Sequence, residues 1–594
     1  MVALKLMNFG AMLPAVDARL LPQNNAELSQ NTWLYSGAIE GMPRMVPVRT
    51  LQNPNAKKAF RIPFQEFGKD NIPDSYWIEL ESNDSDIVAS PSVGDSFERY
   101  YWAGLGITPQ YNTKARISAG QSSYKLGIPA PVAAPSINIS GGSAPTETRA
   151  YVYTWVSAYG EEGPPSPPIL ASGNASGLWT VTTTAPGSTV TTGRQLSHVR
   201  IYRTITGTTG STTYYFVAEI AIGSTVYVDS VPTTTVAANN ILRSTLWSEP
   251  PSDLKGMTPM PNGIIAGFRA NEVWFCEPYR PHAWPSAYTL AVDGEIVGLG
   301  VTGQSLVVCT KISPYIITGV NPASMSISKI ATNEPCLSRG SIVSTPAGVV
   351  FASPNGLILC APGVTQNITR QIISKDLWLD QTRFLNLTSL YAATFNNQYY
   401  CWGTPGGNTF DPNAFSPQAF TQSDYTGAYT GAVIDIGDAR LGYTKLSSEV
   451  PTENCWTDTW TGEVLVIRDG VVYWLDLAPS RTKESFVWRS KVIETPSQKN
   501  IGAMRIFFDT YDWLPDLNPT PNASLVQELA EDQWGLVRIY ADGVHRYTRE
   551  IRRSGEIFRL PSGFKAGYWQ VEIESRVKIY SVELASTAKE LGVV

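Results

Sequence analysis

A chain of 594 residues with 43% hydrophobic content has material for several cores, and its length alone points to three or four domains. Charged residues make up only 16% and the net charge is −6, which excludes a broad duplex-gripping surface and leaves room for no more than a local basic patch. No stretch approaches the ~20 apolar residues of a membrane helix, so no stable membrane insertion is expected.

Residues 1–16 look superficially like a secretion signal. Lys5, Asn8 and Pro14 interrupt the apolar run and no clean cleavage site follows, so they read as part of the fold. Residues 1–128 are expected to form an N-terminal arm and strands that join the main body. A short helix is predicted over 25–35, capped by Asn24 or Asn25, with Glu27 in its first turn. Strands are predicted near 59–63, 75–81 and 99–103.

Residues 129–247 change character. A Pro/Ala/Ser/Gly linker leads into a Thr-rich block with few charges. Tyr151-Val152-Tyr153-Thr154-Trp155-Val156 alternates large aromatics with smaller residues, as a strand with one buried face does. Further strands are predicted at 178–184, 198–204, 214–220 and 225–229, a spacing that suits a β-sandwich. The turn from Tyr159 through Glu161 and Glu162 to Pro167, following a Tyr/Trp strand, resembles fibronectin type III or Ig-like modules; a generic sandwich is the other reading.

Residues 248–510 repeat one device, an apolar run, a tight turn and another run. Ile264–Phe268 in sequence turns at Arg269-Ala270-Asn271, Val349-Val350-Phe351 turns at Pro354-Asn355-Gly356, and the run from Val464 turns at Asp469-Gly470. Asn-Gly and Asp-Gly accept the positive φ of twisted hairpin turns. Hairpin after hairpin needs closure to protect its edges, so a β-propeller of divergent blades is expected, with stacked sandwiches as the competitor. One helix is expected near 374–386. Residues 511–594 read as a small C-terminal β-unit, with a short helix over 523–533, a hairpin at Ala541-Asp542-Gly543 and three more strands. The fold class is thus all-β.

The six cysteines, Cys276, Cys309, Cys336, Cys360, Cys401 and Cys455, include no Cys-x-x-Cys pair and mostly sit in apolar strands, so they read as buried free thiols, not zinc ligands. The three histidines, His198, His282 and His545, are the only candidates for a Ser-His-Asp or Cys-His arrangement, and with no Gly-x-Ser-x-Gly elbow each reads as structural. Asn83-Asp84-Ser85-Asp86 lacks the downstream Gly and bidentate Glu of a calcium loop and reads as a solvated turn. Thr457-Asp458-Thr459-Trp460-Thr461-Gly462 faintly resembles the aspartate boxes of sialidase propellers, which are blade turns and not catalytic groups. Most of the 17 Trp and 28 Tyr are expected to fill strand faces and subunit interfaces. No catalytic, cofactor or metal site is expected, and no cofactor.

Several stretches resemble a known family. Phe275-Cys276-Glu277-Pro278-Tyr279-Arg280-Pro281-His282-Ala283-Trp284-Pro285 runs on to Val292-Asp293-Gly294-Glu295, then Val308-Cys309-Thr310-Lys311 and Pro314-Tyr315-Ile316-Ile317-Thr318-Gly319. Asn31-Thr32-Trp33, Asp95-Ser96-Phe97-Glu98-Arg99-Tyr100-Tyr101-Trp102 and Phe486-Val487-Trp488-Arg489-Ser490-Lys491 share the order. Together they resemble the β-propeller nozzle (tail tubular, packaged-DNA-stabilising) proteins of short-tailed bacteriophages. The resemblance implies a virion tail protein assembled in the host bacterial cytoplasm, a ring of six subunits below portal and adaptor proteins, neighbouring tail fibres or spikes, and passage of double-stranded DNA without specific binding. It carries over no individual residue role. A tail protein that binds or cleaves host carbohydrate is the alternative, and a surface adhesin is disfavoured by the missing export signal.

Overall fold

The computed structural model describes residues 3–34, 36–63, 76–205, 213–380, 385–403, 429–437, 442–447, 452–458, 462–475, 483–509, 535–561 and 563–591. They form an all-β protein of many small antiparallel sheets. The chain divides into two compact units: Phe60–Asn333, and Met1–Ala59 together with Glu334–Val594.

In the Phe60–Asn333 unit the basic element is a four-stranded antiparallel meander. Asp86–Ala89, Arg99–Ala103, Gln110–Thr113 and Tyr124–Lys125 form one. Lys255–Met260, Ile264–Arg269, Glu272–Phe275 and Leu290–Ala291 form the next. Ile296–Thr302, Ser305–Thr310, Tyr315–Thr318 and Ser326–Lys329 repeat the pattern. The central strands are continuous apolar runs because both faces are covered: all six residues of Ser305–Thr310 are buried. The turn expected after Ile264 is there, and its Ala270 takes φ 47°, an uncommon conformation for a residue with a Cβ.

Between the first two meanders lies a seven-stranded sandwich. Its first strand, Ser136–Ser140, pairs with the fourth, Leu178–Thr182, which pairs with the seventh, Val226–Asp229. The other sheet runs third, second, fifth, sixth: Ile169–Asn174, Thr146–Ser157, Leu196–Arg203 and Tyr215–Ala221. Tyr151, Tyr153 and Trp155 enter one core with Trp179, Val181, Val199 and Ile201. The alternation read from the sequence is therefore real, but the other face is covered too: Val152 packs with Tyr202 and Leu242. First and second strands lie in opposite sheets, whereas the Ig order makes them neighbours.

The other unit holds the meander Val343–Thr345, Gly348–Ser353, Gly356–Ala361 and Val364–Asn367. A second, Asn454–Thr457, Val464–Arg468 and Val471–Trp474, is completed by the distant strand Val46–Thr50. Arg468 pairs with Val471 across a two-residue turn in which Asp469 (φ 49°) and Gly470 (φ 69°) are both left-handed, the conformation that Asp-Gly supplies at low cost. Tyr391–Phe395, Gln398–Trp402, Tyr429–Asp435 and Tyr443–Ser447 form another meander that continues into a large sheet through Gly10–Met12, Asn25–Gln30, Phe486–Ser490, Ala566–Ser575, Gly535–Ala541 and Val544–Ile551. Ala3–Leu6, Ile579–Ala585, Ala503–Phe508 and Ile557–Arg559 make a further sheet. The C-terminal strands thus share sheets and one core with the N-terminal ones.

The helix expected over 25–35 is instead the strand Asn25–Gln30, parallel to Gly10–Met12 and antiparallel to Phe486–Ser490. Asn25 caps nothing; its Nδ2 donates to Ala11 O at 3.0 Å. Pairing on both sides overrides a weak helical preference. The helix expected near 374–386 is a short one, Lys375–Leu379, capped by Ser374. The helix expected over 523–533 lies outside the described residues.

Candidate functional site

The residues singled out for chemistry are scattered. His198 sits exposed on the fifth sandwich strand, its Nδ1 2.8 Å from Ser197 Oγ. His545 is exposed near the C-terminal hairpin, its Nε2 2.7 Å from Thr548 Oγ1. In the 83–86 turn, Ser85 Oγ donates to Ser82 O and Lys255 pairs with Asp84 at 3.0 Å. Asp458 is buried and its carbonyl accepts from the Gly462 N–H at 2.8 Å; residues 459–461 lie outside the described residues. The six cysteines are buried and free, and burial pushes the thiols of Cys276 and Cys401 up to about 12. Among the described residues no group of His, Cys, Asp and Glu is placed to hold a metal ion.

His282 is different. It is buried in a polar cluster that joins three parts of the Phe60–Asn333 unit, and the cluster is centred on Glu161 in the sandwich turn. Arg99, which opens the second strand of the first meander, reaches Glu161 with Nη1 at 2.6 Å and Asp95 with Nε at 2.8 Å. His282 Nδ1 lies 3.8 Å from Glu161 Oε1. Ser157 holds the turn: its backbone N–H donates to Glu161 O at 2.9 Å, and the Glu161 N–H donates to Ser157 Oγ at 3.2 Å.

Burial sets the electrostatics. It pushes the Glu161 carboxyl up to about 7, outweighing the nearby Arg99 cation, and Asp95 adds to the rise. It lowers His282 to about 3, with repulsion from Arg280 and Arg99 in the same direction, so this imidazole is neutral near pH 7. Burial also disfavours the Arg99 cation, but Tyr101, Asp95 and Glu161 outweigh it and hold the guanidinium charged.

An aromatic cage surrounds the charges. Tyr159 packs against Phe97 (4.7 Å between ring centroids), Tyr111 (6.0 Å) and Tyr124 (6.4 Å). Trp247 meets His282 edge-on at 5.5 Å, and Arg280 covers Trp247. The two chain crossings into the sandwich lie side by side: a Cβ at Gly127 would fall 3.0 Å from Glu249 Cα. Arg194 ties both, its Nε donating to Gly127 O and to Glu249 Oε1, each at 3.0 Å. The arrangement fastens the sandwich. The Ser157 hydroxyl donates to the buried Glu161 carboxyl at 3.4 Å.

The joint brings together two stretches that stand out separately in the sequence, 95–102 and 159–167, and nothing local in either marks the other as its partner. A second buried cluster lies inside the sandwich, where Arg203 Nε stands 2.8 Å from Asp229 and Tyr151 donates to the same carboxylate at 2.7 Å. The Arg149 guanidinium lies over the Trp179 ring, 4.3 Å from its centroid.

No family model matches the chain, and no curated protein matches it. Among solved structures it is similar to BBS1N in complex with ARL6DN (10% identity over 51% of this chain and 88% of that one, TM-score 0.25). It is also similar to Kluyvelomyces marxianus Hsv2 (10%, over 53% and 90%, TM-score 0.23) and Chaetomium thermophilum Raptor (9%, over 73% and 30%, TM-score 0.25). At such scores the likeness assigns this chain no activity, substrate or partner.

Proposed function

We propose that this chain is a structural, non-enzymatic virion protein: a subunit of the ring-shaped tail nozzle of a short-tailed bacteriophage, which retains packaged DNA and conducts it during ejection. On this reading the four-stranded meanders are the blades of a divergent β-propeller, and residues 129–247 form a fibronectin or Ig-like insert with its first strand displaced. Portal or adaptor proteins lie above the ring, and fibres or spikes beside it.

One observation carries the reading. The same antiparallel meander recurs along the chain, and the one at 454–474 takes its fourth strand, Val46–Thr50, from more than four hundred residues away in sequence. Completing a late sheet with an early strand ties the ends of the chain together, as a closed ring of blades requires. The low overall charge also suits a conduit, since a wall rich in Lys and Arg would grip phosphates and slow passage. A ring of identical subunits buries one patch of each against a different patch of the next.

The test is light scattering with negative-stain microscopy of the full chain, alone and with the phage's adaptor protein. A closed ring of about six subunits around a central hole is expected. A chain that stays monomeric at high concentration under both conditions overturns the proposal.

A further inference from the structure

We propose that one side of the sandwich is a self-pairing surface: the edge strands Ser136–Ser140 and Ile169–Asn174 meet the same two strands of a second copy of this chain across a two-fold axis. The ring reading sets unlike patches of neighbouring subunits together. This contact sets like against like, so it joins chains that the ring does not and stands apart from that reading.

Both strands are terminal in their sheets, and among the described residues nothing pairs with the outer edge of either. They lie on the same side of the sandwich: a Cβ at Gly173 would fall 2.6 Å from Ile139 Cδ1, so the two edges run against each other. Ile137, Ile139, Ile169 and Ala171 are only partly buried at the rim of the core, and Leu170 is 71% exposed. The opposite side is partly covered. There Val236 of the short helix Thr233–Val236 enters the core, and the Phe216 N–H donates to Asn240 O at 2.9 Å. An open edge is a template for another strand, and proteins ordinarily blunt it with charge, proline or a bulge. The other edges of five residues or more among the described residues of this unit are blunted in that way: Tyr215–Ala221, Lys255–Met260 and Ile296–Thr302 each carry a register shift. Ser136–Ser140 and Ile169–Asn174 keep an unbroken register and hold no proline. Nor do they carry charge: no Asp, Glu, Lys or Arg stands between Lys125 and Glu147, or between Glu162 and Arg194.

What fits this side is another sandwich. A single donated strand would complete one ladder and leave the other open, whereas a sandwich turned about a two-fold axis offers an edge to both sheets at once. The absence of charge selects further. A Lys or Asp brought against either strand would lose water with no opposite charge to receive it. A second copy brings none, and it sets the rim residues Ile137, Ile139, Ile169 and Ala171 near their own counterparts. Strands of six residues at ~3.3 Å each, in two sheets ~10 Å apart with half a side-chain layer outside each, give a contact of roughly 20 by 20 Å. That is about half of the ~800 Å² per partner of a standard interface, so the pairing is weak and reversible.

The experiment is sedimentation velocity of the full chain over a concentration series, for wild type and for the double variants N138K/L170K and N138E/L170E. Both positions are exposed, one on each edge, and either variant sets like charges against one another across the axis. Each variant alone should raise the dissociation constant of the pairing step at least ten-fold, and an equimolar mixture of the two should restore it at low salt. Ring assembly by the rest of the chain is common to all the samples and cancels in the comparison. A cross-link gives a second reading that does not depend on the charged variants folding. The six native cysteines are buried, so S172C on the edge and S224C in the turn on the opposite side each add one exposed thiol. With diamide as oxidant, S172C should form the interchain disulfide at least ten-fold faster than S224C. Equal cross-linking of the two overturns the assignment, as does a mixture no more associated than its parts. A wild type that matches both charged variants at every concentration also overturns it, and leaves the edges to a strand donated by a different protein.

Discussion

Removing the charge at Glu161 should change how stability depends on pH. The carboxyl has an ordinary value of 4.5 and is pushed up to about 7 in the folded chain, chiefly by burial. Between those values the folded protein holds a proton that the unfolded chain has released, so the unfolded state binds fewer protons and stability falls as pH rises. The contribution is complete below pH 4.5 and is lost as pH passes through about 7. Integrated from pH 5 to pH 8, the loss is about 2.5 kcal/mol, at 1.36 kcal/mol for each pKa unit. Glu161→Gln keeps the shape and much of the hydrogen bonding but cannot ionise. Urea denaturation of wild type and variant at both pH values isolates the group, because all other titrations are common to the pair. Wild type should lose about 2 to 3 kcal/mol relative to the variant on going from pH 5 to pH 8. Parallel pH profiles for the two proteins would refute the reasoning and show that Arg99 keeps Glu161 ionised throughout.

Four other outcomes follow from the structure. Replacing Asp95, Arg99 and Glu161 together by Asn, Met and Leu should leave stability unchanged or raise it by up to about 4 kcal/mol, since all three desolvated charges are lost together, whereas Arg99→Met alone, which strands both carboxyls, should cost about 3 kcal/mol; chemical denaturation separates the two. Phe351→Ala, at a fully buried side chain, should cost about 3–5 kcal/mol by the same assay. Gly470→Ala puts a Cβ on a left-handed residue with open space around it, so the cost is backbone strain of about 1 kcal/mol with no packing loss. Excising residues 129–247 and joining the adjacent crossings with a short Gly-Ser link should leave the circular dichroism of the rest unchanged, and ring formation by light scattering unchanged with it.

How much of this was legible depends on where the information sits. Asp469-Gly470 and Asp542-Gly543 announce their turns because only a few residue types accept two consecutive left-handed conformations, and both pairs take them. Strand Arg99–Ala103 is legible because its run of bulky aromatics favours a strand. Asn25–Gln30 does not announce itself: its sequence NAELSQ has no β-branched residue, and one of the two strands that flank it, Phe486–Ser490, lies more than four hundred residues away. Val46–Thr50 was equally silent. Pro47 weakens it as a strand, and the register shift where Val472 and Tyr473 pair with Arg49 and Pro47 absorbs the missing donor. The Glu161 joint was invisible for the same reason, since Arg99 and Glu161 are 62 positions apart and nothing local marks them as partners.

The joint also explains why a charged fastener serves where an apolar one would hold as tightly. The sandwich hangs from two chain crossings lying side by side, a connection that by itself permits swinging. Tyr159 and its aromatic neighbours supply adhesion, but ring faces tolerate sliding. The Arg99 fork does not: it meets Glu161 and Asp95 at once, from two different nitrogens, and loses both contacts if the turn shifts by an ångström or so. Burial of the pair adds little net stability and makes any misaligned state expensive, because displacement would strand an unpaired charge among tyrosines. Fixed orientation, more than holding strength, is what this arrangement gives the sandwich.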